Sequence, residues 1–299
     1  MSIKLYNLST GDFIYENVPA EPFMNFLYGN PLGRLSVWAL FKRGFFSRLG
    51  GIWADSKSSA KTVAGFIKSN GINTDEMLFA PSHYKTFNEF FTRRLRDGAR
   101  EIAAAGISGA VSFPSDGRHL LIKNVSQADS FYVKGQKFDL AKFLADKPLS
   151  ENFVGGDMLI SRLAPADYHR FHFPVSGTLA ARRAVSGALY SVSPIALKPK
   201  LSVLWENRRV VNILETSDFG FCAFVEIGAT NVGSIVNTHK VGDSFTRGDE
   251  AGYFRFGGSC VVSIFPKSKI DWNEKLVEMS SRGIETYAEM GMLAGALKA

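Results

Sequence analysis

Residues 226–259 are the part of this chain that is most informative about its architecture, and they read EIGATNVGSIVNTHKVGDSFTRGDEAGYFRFGGS. A Gly-Asp pair at residues 242–243 follows a valine, and a second Gly-Asp pair at residues 248–249 comes after a short spacer. Glycine reaches the positive φ angles that tight turns need. The pattern therefore predicts a strand, a tight turn and a return strand.

Hairpins of this kind are typical of compact barrel-sandwich domains, which resemble the lipoyl and biotinyl carriers. A carrier displays its modified lysine at a hairpin tip, and Lys240 lacks the flanking residues expected there, so a carrier function is disfavoured. After residue 105 the sequence continues as short apolar runs bounded by Gly, Pro and Asp, which is typical of strands. These runs include residues 158–160, 203–205, 209–214 and 221–227.

The part of the chain before residue 105 has a different pattern, in which apolar residues recur at helical spacing. The stripes lie at residues 23–27, 41–53, 63–67 and 87–95, and the tail from Asp271 returns to this spacing. We therefore predict an α+β fold. N-terminal amphipathic helices in residues 1–104 pack on a β-rich, barrel-sandwich-like core in residues 105–299, which ends in a short C-terminal helix.

Composition excludes several classes of protein. Hydrophobic residues make up 45% of the 299 residues and charged residues 21%, which are values of a folded globular chain rather than a disordered one. Two cysteines, Cys222 and Cys260, are too few for a disulfide scaffold or a Cys-rich metal module. No apolar run of 18 residues and no signal peptide is visible, so we expect neither a membrane-spanning helix nor export.

The charge is concentrated near the N-terminus. Residues 21–70 contain seven basic residues and two acidic ones, against 35 Lys and Arg and 28 Asp and Glu in the whole chain. Basic residues interleaved with Phe and Trp on short amphipathic helices can lie in a lipid interface. The alternative is a helical layer that covers the core and only exposes its charges to solvent. Nucleic-acid binding is disfavoured, because no RNA-binding module is visible.

Two of the candidate site clusters are an acid in a turn and a histidine pair. Asp116 lies in the turn FPSDGR, where a lone Asp commonly caps the turn with its own side chain. His169 and His172 lie in DYHRFHFP, and on a strand they would point apart. Zinc needs three or four ligands, and with no third ligand nearby a metal site is disfavoured. Two imidazoles remain suitable for acid–base chemistry near neutral pH.

The third cluster is FGGSC, in which Ser259 follows Gly257 and Gly258 at the start of an apolar run. It can be a glycine-rich turn into a buried strand. It can also be a nucleophile, because no side chain at residues 257 and 258 blocks approach to the Gly258 carbonyl. Together the three clusters supply an Asp, a His and a Ser, from which an activated hydroxyl is built on unrelated folds.

Several longer motifs occur in one order over nearly the whole chain. They are FFTRRL at residues 90–95, GAR at 98–100, the turn around Asp116, DYHRFHFPVSG at 167–177, GATNVGSI at 228–235, GYFRFGGS at 252–259 and GIET at 283–286. They resemble the signatures of the phosphatidylserine decarboxylase family, and the N-terminal part is similar to the shorter bacterial form of that family.

The resemblance implies a proenzyme that cuts itself between Gly258 and Ser259 into a large subunit, 1–258, and a small subunit, 259–299. Asp116 would orient His172, and His172 would take the proton from Ser259. The hydroxyl would then attack the Gly258 carbonyl in an N-to-O acyl shift. After elimination, Ser259 would become a pyruvoyl group, which is the expected covalent cofactor, and no metal is expected.

The implied reaction converts phosphatidylserine to phosphatidylethanolamine and CO2. The pyruvoyl ketone would form a Schiff base with the substrate amine and accept the electrons released when CO2 leaves, as pyridoxal phosphate does elsewhere. His169 would return a proton to the α-carbon. The resemblance makes an anionic phospholipid membrane the expected partner of residues 21–70, at the cytoplasmic face of the cell membrane, and a homodimer is expected from the family alone.

One position departs from the family pattern. Cys260 follows the cleavage serine, where the family usually has Thr or Ser, and this small residue should still fit a buried strand. The alternatives to the main hypothesis are a pyruvoyl-dependent decarboxylase of a free amino acid such as an aromatic one, a non-catalytic membrane-bound scaffold, and a zinc hydrolase.

Overall fold

The computed structural model describes residues 3–16, 45–125, 138–192, 197, 202–229, 235–257 and 259–298, with residues 45–49 as backbone only. The strands are β1 (Ile3–Asn7), β2 (Phe13–Glu16), β3 (Ala110–Ser112), β4 (Gly117–Ile122), β5 (Asp157–Leu163), β6 (Arg170–His172), β7 (Gly177–Val185), β8 (Arg209–Thr216), β9 (Gly220–Gly228), β10 (Ile235–Asn237), β11 (Ser244–Phe245), β12 (Glu250–Phe254), β13 (Ser259–Phe265), β14 (Ile270–Trp272), β15 (Thr286–Ala288) and β16 (Leu293–Leu297).

The helices are short and lie mostly between the strands. They are α1 (Phe45–Ala54), α2 (Val63–Asn70), α3 (Phe87–Phe91), α4 (Leu140–Leu144), α5 (Lys147–Glu151), α6 (Val203–Glu206) and α7 (Glu274–Ser281), with 3-10 turns at Lys57–Thr62 and Pro81–His83. Thr86 caps α3 by accepting a hydrogen bond from the Glu89 N–H, and Asn273 caps α7 by accepting from the Lys275 and Leu276 N–H groups.

Within the described part of the chain, ten strands form one sheet in the order β11-β7-β8-β9-β13-β5-β4-β15-β1-β2. Two three-stranded sheets have the orders β10-β12-β6 and β14-β16-β3. The predicted α+β class and the β-rich core are confirmed. Among the described residues, β11 and β2 each pair on one side only, so the core is an open sheet with smaller sheets packed on it rather than a closed barrel.

The ten-stranded sheet is covered on both faces, and this explains its apolar strands. In β13, Cys260, Val262 and Ile264 point into a core that includes residues of α4 and α6. Val261 and Phe265 point to the other side, into a core shared with the two small sheets and α7. A central strand buried on both faces reads as a nearly continuous apolar run, which is what residues 259–265 are.

A third core joins the N-terminal helices to the rest of the molecule. It consists of Val63, Met77, Tyr84, Phe87, Phe90 and Phe91, with Phe66, Ile67, Ile72 and Phe256 packed against it. Phe256 lies three positions before Ser259, so the aromatic residues of the N-terminal helices pack directly on the chain that leads into β13. No helix among the described residues is long and apolar enough to cross a membrane.

The predicted strands at residues 158–160, 209–214 and 221–227 are confirmed as β5, β8 and β9. The strand predicted at 203–205 is wrong, because Val203 and Leu204 are buried on α6 against the first core. A four-residue helix and a short strand give similar apolar runs, and here the Ser202 hydroxyl bonds Glu206 across the helical turn at 2.8 Å.

The helical stripes at 63–67 and 87–95 are confirmed as α2 and α3, although α3 ends at Phe91. The stripe at 41–53 is confirmed where it is described, as α1, while the stripe at 23–27 lies outside the described residues. The predicted C-terminal helix is α7, but two strands follow it. The strands β1 and β2, which the sequence did not predict, lie at the edge of the large sheet, where β1 pairs in parallel with β15.

The predicted hairpin is wrong in its pairing. Gly242 and Gly248 do turn the chain, with φ of 95° and 93°. However, β11 between them is only two residues long and pairs with β7 of the large sheet. The return strand, β12, pairs with β10 and β6 instead. The segment therefore crosses from a small sheet to the large sheet and back.

Candidate active site

Ser259 is the first residue of β13 and is fully buried at the centre of the large sheet. It pairs with Gly228 of β9 on one side and Leu163 of β5 on the other. Its Oγ lies 3.3 Å from Nδ1 of His169. The preceding Gly257 has a φ of 142°, a backbone conformation that favours glycine, while Gly258 lies outside the described residues.

His169 is held as a neutral base facing Ser259. Its Nε2 lies 2.9 Å from the carbonyl oxygen of Ala164, which can only accept, so Nε2 carries the proton and Nδ1 has the free lone pair. The ring stacks on Phe91 with centroids 3.8 Å apart. Burial, and then the positive charge of Arg93, lower the pKa of His169 to about 3. The Ser259 hydroxyl therefore donates to an uncharged imidazole.

His172 lies three residues after His169, at the end of β6, and has a different hydrogen-bond partner. Its Nδ1 donates to the carbonyl oxygen of Gly248 at 2.8 Å. Its Nε2 is buried and, within the described residues, has no hydrogen-bond partner. Burial lowers the pKa of His172, while the charges of Glu250 and Asp116 oppose that shift. The ring therefore presents an unoccupied lone pair in the interior, an unusual arrangement for a residue with only a structural role.

Asp116 lies in the predicted turn, between β3 and β4, and is almost fully buried. Its carboxylate accepts from Nε and NH2 of Arg100, with a shortest distance of 2.7 Å. It also accepts from the Met290 N–H at 2.9 Å. Asp116 is thus bound at two points by an arginine.

The structure therefore brings the predicted residues together only in part. Ser259 and His169 are in contact, but neither an Asp116–His172 nor a His172–Ser259 hydrogen bond is present. Those two contacts are the ones that the resemblance implies. The negative charge of Asp116 nevertheless acts on His172, where it opposes the lowering of the imidazole pKa by burial.

Sequence reasoning assigned no role to Arg93, which lies beside this site. The side chain is buried, and its NH2 donates to the carbonyl oxygens of Ala166 and Asp167 at 3.0 and 3.1 Å. Burial lowers the pKa of Arg93, and the negative charge of Asp167 opposes this. Its position in the FFTRRL motif could have pointed to a functional role, but the motif alone does not show which groups Arg93 contacts.

Asn88 is a second residue that sequence reasoning missed. Its Oδ1 accepts from the Phe256 N–H at 2.9 Å, and its Nδ2 donates to Asp55 at 2.8 Å. The Phe256 ring also packs on Phe87 and Phe91, with centroids 5.1 and 5.4 Å apart. The chain before Ser259 is therefore fixed to α3, the same helix whose Phe91 supports His169.

Cys260, the departure from the family pattern, is fully buried and lies on the face opposite Ser259, in the first core. Burial raises the pKa of its thiol to about 12, so it stays protonated. Its side chain therefore acts as a small apolar group behind the site.

An open cleft of about 530 Å³ lies next to these residues. Its lining consists of Arg94, Leu95, Tyr168, Thr238, His239, Asp249 and Glu250. Arg94 and Tyr168 are the chain neighbours of Arg93 and His169, so the cleft adjoins the two segments that carry these residues. Among the described residues, no three His, Cys, Asp or Glu side chains come together as metal ligands.

Comparisons with known proteins show which family the chain belongs to. The phosphatidylserine decarboxylase family profile matches residues 87–295, a range that contains Asp116, both histidines and Ser259. A phosphatidylserine decarboxylase proenzyme of Fusobacterium nucleatum is 39% identical over 289 residues, which cover 97% of this chain and 96% of the relative. Proenzymes of the same name from Chlamydia caviae and Clostridium novyi are 40% and 37% identical, over 96% and 98% of this chain and 95% and 99% of their own lengths. The chain therefore belongs to the phosphatidylserine decarboxylase family.

Proposed function

We propose that this chain is a proenzyme that cuts itself between Gly258 and Ser259 and then converts phosphatidylserine to phosphatidylethanolamine and CO2. The observation that carries the proposal is the buried Ser259 hydroxyl at the start of a central strand, hydrogen-bonded to a neutral histidine. The relatives reported above are all named as proenzymes of this activity. None of their names favours a free amino acid as substrate or a non-catalytic scaffold.

In the cleavage step, Ser259 Oγ forms a bond to the carbonyl carbon of residue 258, and the bond from that carbon to the nitrogen of residue 259 breaks. Elimination of the resulting ester releases a carboxylate at residue 258. Water then replaces the nitrogen, which leaves as ammonia, and the ketone of a pyruvoyl group remains at position 259. The two products are residues 1–258 and 259–299.

His172 is the base that we assign to the cleavage step, with Asp116 supporting its charge. The support is the buried Nε2 lone pair, which has no partner among the described residues, and the favourable charge of Asp116 on a protonated His172. This assignment requires Ser259 to turn from His169 to His172 before it attacks.

The site suits the pyruvoyl group that the family implies. A pyruvoyl at position 259 lacks the serine hydroxyl, so it needs no more room than the buried Ser259, and the facing residue in β9 is Gly228. When present, the ketone condenses with a substrate amine and draws off the electrons of the departing carboxylate. His169, whose Nδ1 already faces position 259, is the residue that we assign to proton transfer to the substrate α-carbon.

Residues 1–104 are proposed as the membrane-association region and residues 105–299 as the catalytic core. Large apolar side chains exposed on the described part of residues 1–104 are Phe13, Tyr15, Ile52, Trp53, Leu78 and Phe79. Trp53 also packs on Phe256, with ring centroids 6.0 Å apart, so this apolar surface adjoins the chain that leads to Ser259. We propose peripheral binding to the anionic, cytoplasmic face of the membrane, where basic residues add attraction. A homodimer remains a prediction from the family.

The test compares the wild-type chain with Ser259→Ala. We expect the wild type to run as two pieces on a denaturing gel, with a blocked N-terminus on the smaller piece by mass spectrometry, and Ser259→Ala to stay uncut. CO2 release should come from phosphatidylserine and not from free amino acids. An active wild-type chain that stays in one piece with an intact Ser259 would contradict the proposal.

A further inference from the structure

Arg93 is a buried cation with an unused hydrogen-bond donor. The residue is 5% exposed, and both of its hydrogen bonds come from NH2, to the carbonyl oxygens of Ala166 and Asp167. NH1 is buried and has no partner in the described parts of the chain. Since a buried charged donor without an acceptor is costly, such a group needs an explanation.

Other buried or largely buried arginines show what Arg93 lacks. Four of them pair with carboxylates: Arg100 with Asp116, Arg118 with Asp167, Arg162 with Glu285 and Arg170 with Glu250. Arg209 and Arg247 have only neutral partners, but their NH1 groups donate to the carbonyl oxygens of Trp205 and Ala103, both at 2.7 Å. Among the described residues, Arg93 has neither a carboxylate partner nor a hydrogen-bond acceptor for NH1.

The position of Arg93 ties the unused donor to the catalytic residues. Phe91, two residues earlier, stacks on His169. The carbonyls that hold NH2 belong to residues 166 and 167, just before His169, and the charge of Arg93 lowers the pKa of that histidine. The cleft described above is lined by the neighbours Arg94 and Tyr168. Arg93 therefore lies one residue from the cleft lining and is bonded to the chain that carries His169.

We propose that NH1 of Arg93 binds the phosphodiester of the substrate headgroup. The inference rests on the proposed function, which it extends by naming a binding residue. A guanidinium is well suited to a phosphate oxygen, because charge-assisted hydrogen bonds are the strong ones. The substrate anion completes the coordination that the protein leaves open.

Phosphatidylserine carries two anionic groups, and the reaction distinguishes between them. The carboxylate loses its charge as CO2 leaves, so an arginine bound to it would stabilise the ground state more than the transition state and would slow the reaction. The phosphodiester keeps its charge throughout, so a contact with it strengthens binding without opposing the chemistry. Arg93 therefore acts on substrate binding rather than on the chemical step.

The test uses the cleaved enzyme and the variant Arg93→Met. We expect KM for phosphatidylserine in mixed vesicles to rise by roughly 10- to 100-fold with little change in kcat, the range for loss of a hydrogen bond to a charged group. Two soluble inhibitors identify the bound group. Glycerophosphoethanolamine, which has a phosphodiester and no carboxylate, should inhibit the variant roughly 10- to 100-fold more weakly than the wild type, whereas inhibition by free serine should not change.

Arg96→Met is the matched control, since Arg96 is exposed and donates to the Met77 carbonyl. It removes the same charge and should leave KM and both inhibition constants unchanged. If Arg93→Met fails to fold or to cut, the variant Arg93→Lys is measured instead. We expect it to raise KM less than Arg93→Met would and to weaken inhibition by glycerophosphoethanolamine less. An unchanged KM, or weakened inhibition by serine alone, would overturn the assignment to the phosphodiester. An absence of decarboxylation in the wild type would instead overturn the proposed function.

Discussion

The carboxylate of Asp116 is bound by the guanidinium of Arg100 through two nitrogens, with NH2 2.7 Å from Oδ2 and Nε 3.0 Å from Oδ1. Both side chains are under one-tenth exposed, and Arg100 also reaches Glu76 at 3.0 Å. The same carboxylate accepts from the N–H of Met290, which lies on the small-subunit side of the proposed cut. Arg100 therefore fixes an acid that contacts both prospective subunits next to the site.

Replacing Arg100 with Met should damage both stability and self-cleavage. The change leaves Asp116 buried without its cation, and breaking a buried ion pair from one side costs about 3–5 kcal/mol. We expect the free energy of unfolding in urea to fall by that order and the half-time of cleavage to lengthen. Arg282→Met serves as the control, because it breaks a pair with Glu278 in which both side chains are about half exposed. Equal effects of the two variants would contradict a special role for the Arg100 pair.

Variants of the two histidines should have different effects on cleavage and on decarboxylation when the two reactions are measured separately. His172→Ala removes the base that we assign to Ser259, so it should stay uncut on a denaturing gel. His169→Ala should still cut, while its decarboxylation rate falls by about 10²- to 10⁴-fold, the usual worth of a positioned acid or base.

Because Ser259 is hydrogen-bonded to His169 in the structure, the reverse assignment of the two histidines must also be tested. If His169→Ala stays uncut while His172→Ala cuts at the wild-type rate, His169 is the cleavage base and the two roles are exchanged. Asn at each position offers a milder variant, since its amide can replace one of the two hydrogen bonds of the imidazole.

The cleaved subunits should stay together in native buffer. Residues 259–298 supply β13, which is paired on both sides within the large sheet, as well as β15, β14 and β16 in two sheets. Glu285 adds a buried ion pair with Arg162 at 2.8 Å. Native mass spectrometry should therefore show both pieces in one particle, and urea should release the small piece only as the large one unfolds. Release of the small piece in native buffer would contradict this packing.

Reversing charge in the N-terminal segment should weaken membrane binding and spare cleavage. Lys42 and Arg43 lie outside the described residues, and Arg48 lies on α1, just before the exposed Ile52 and Trp53. Each basic residue near an anionic surface contributes about 1 kcal/mol, so replacing all three with Glu should lower liposome affinity by roughly 100-fold or more.

The control for this variant makes the same charge change elsewhere, at the exposed Lys123, Lys147 and Lys267. Sedimentation with anionic liposomes at two salt concentrations measures the effect, because surface attraction is screened by salt. Equal binding of the two triple variants would show that net charge, and not this segment, sets the affinity.

The parts of the site that follow from local sequence were predictable. Ser259 begins a strand because the run after it is apolar on both faces, and Asp116 lies in a turn because Pro and Gly flank it. The two histidines point to different partners because they lie three positions apart where the chain enters the strand β6. Each of these conclusions depends on a few neighbouring residues.

The contacts that complete the site were not predictable, because they join distant parts of the chain. Asn88 binds Phe256 across 168 positions, and Arg93 binds the carbonyl of Asp167 across 74. Local periodicity carries no information about such pairs. The same limit explains β1, whose place in the sheet depends on pairing with β15 near the other end of the chain.

Glu226 gives a prediction about pH. It lies on β9 opposite Val261, is fully buried, and accepts from the Asn212 and Asn237 amides through Oε1 at 2.7 and 3.2 Å. Its Oε2 has no partner among the described residues. Burial raises the pKa of Glu226 to about 8, although the positive charge of Arg182 opposes this. The folded chain therefore holds a proton here that the unfolded chain gives up near its ordinary pKa of 4.5.

Because the folded state binds the extra proton, this residue makes the protein less stable as pH rises from about 4.5 to about 8, with a slope near 1.4 kcal/mol per pH unit. Glu226→Gln removes the titration and keeps the shape of the side chain. Urea unfolding of both chains from pH 5 to pH 9 should give similar stabilities at pH 5 and an advantage for the variant that grows up to about pH 8 and then levels off. A difference that stays constant over this range would show that Glu226 is ionised in the folded protein.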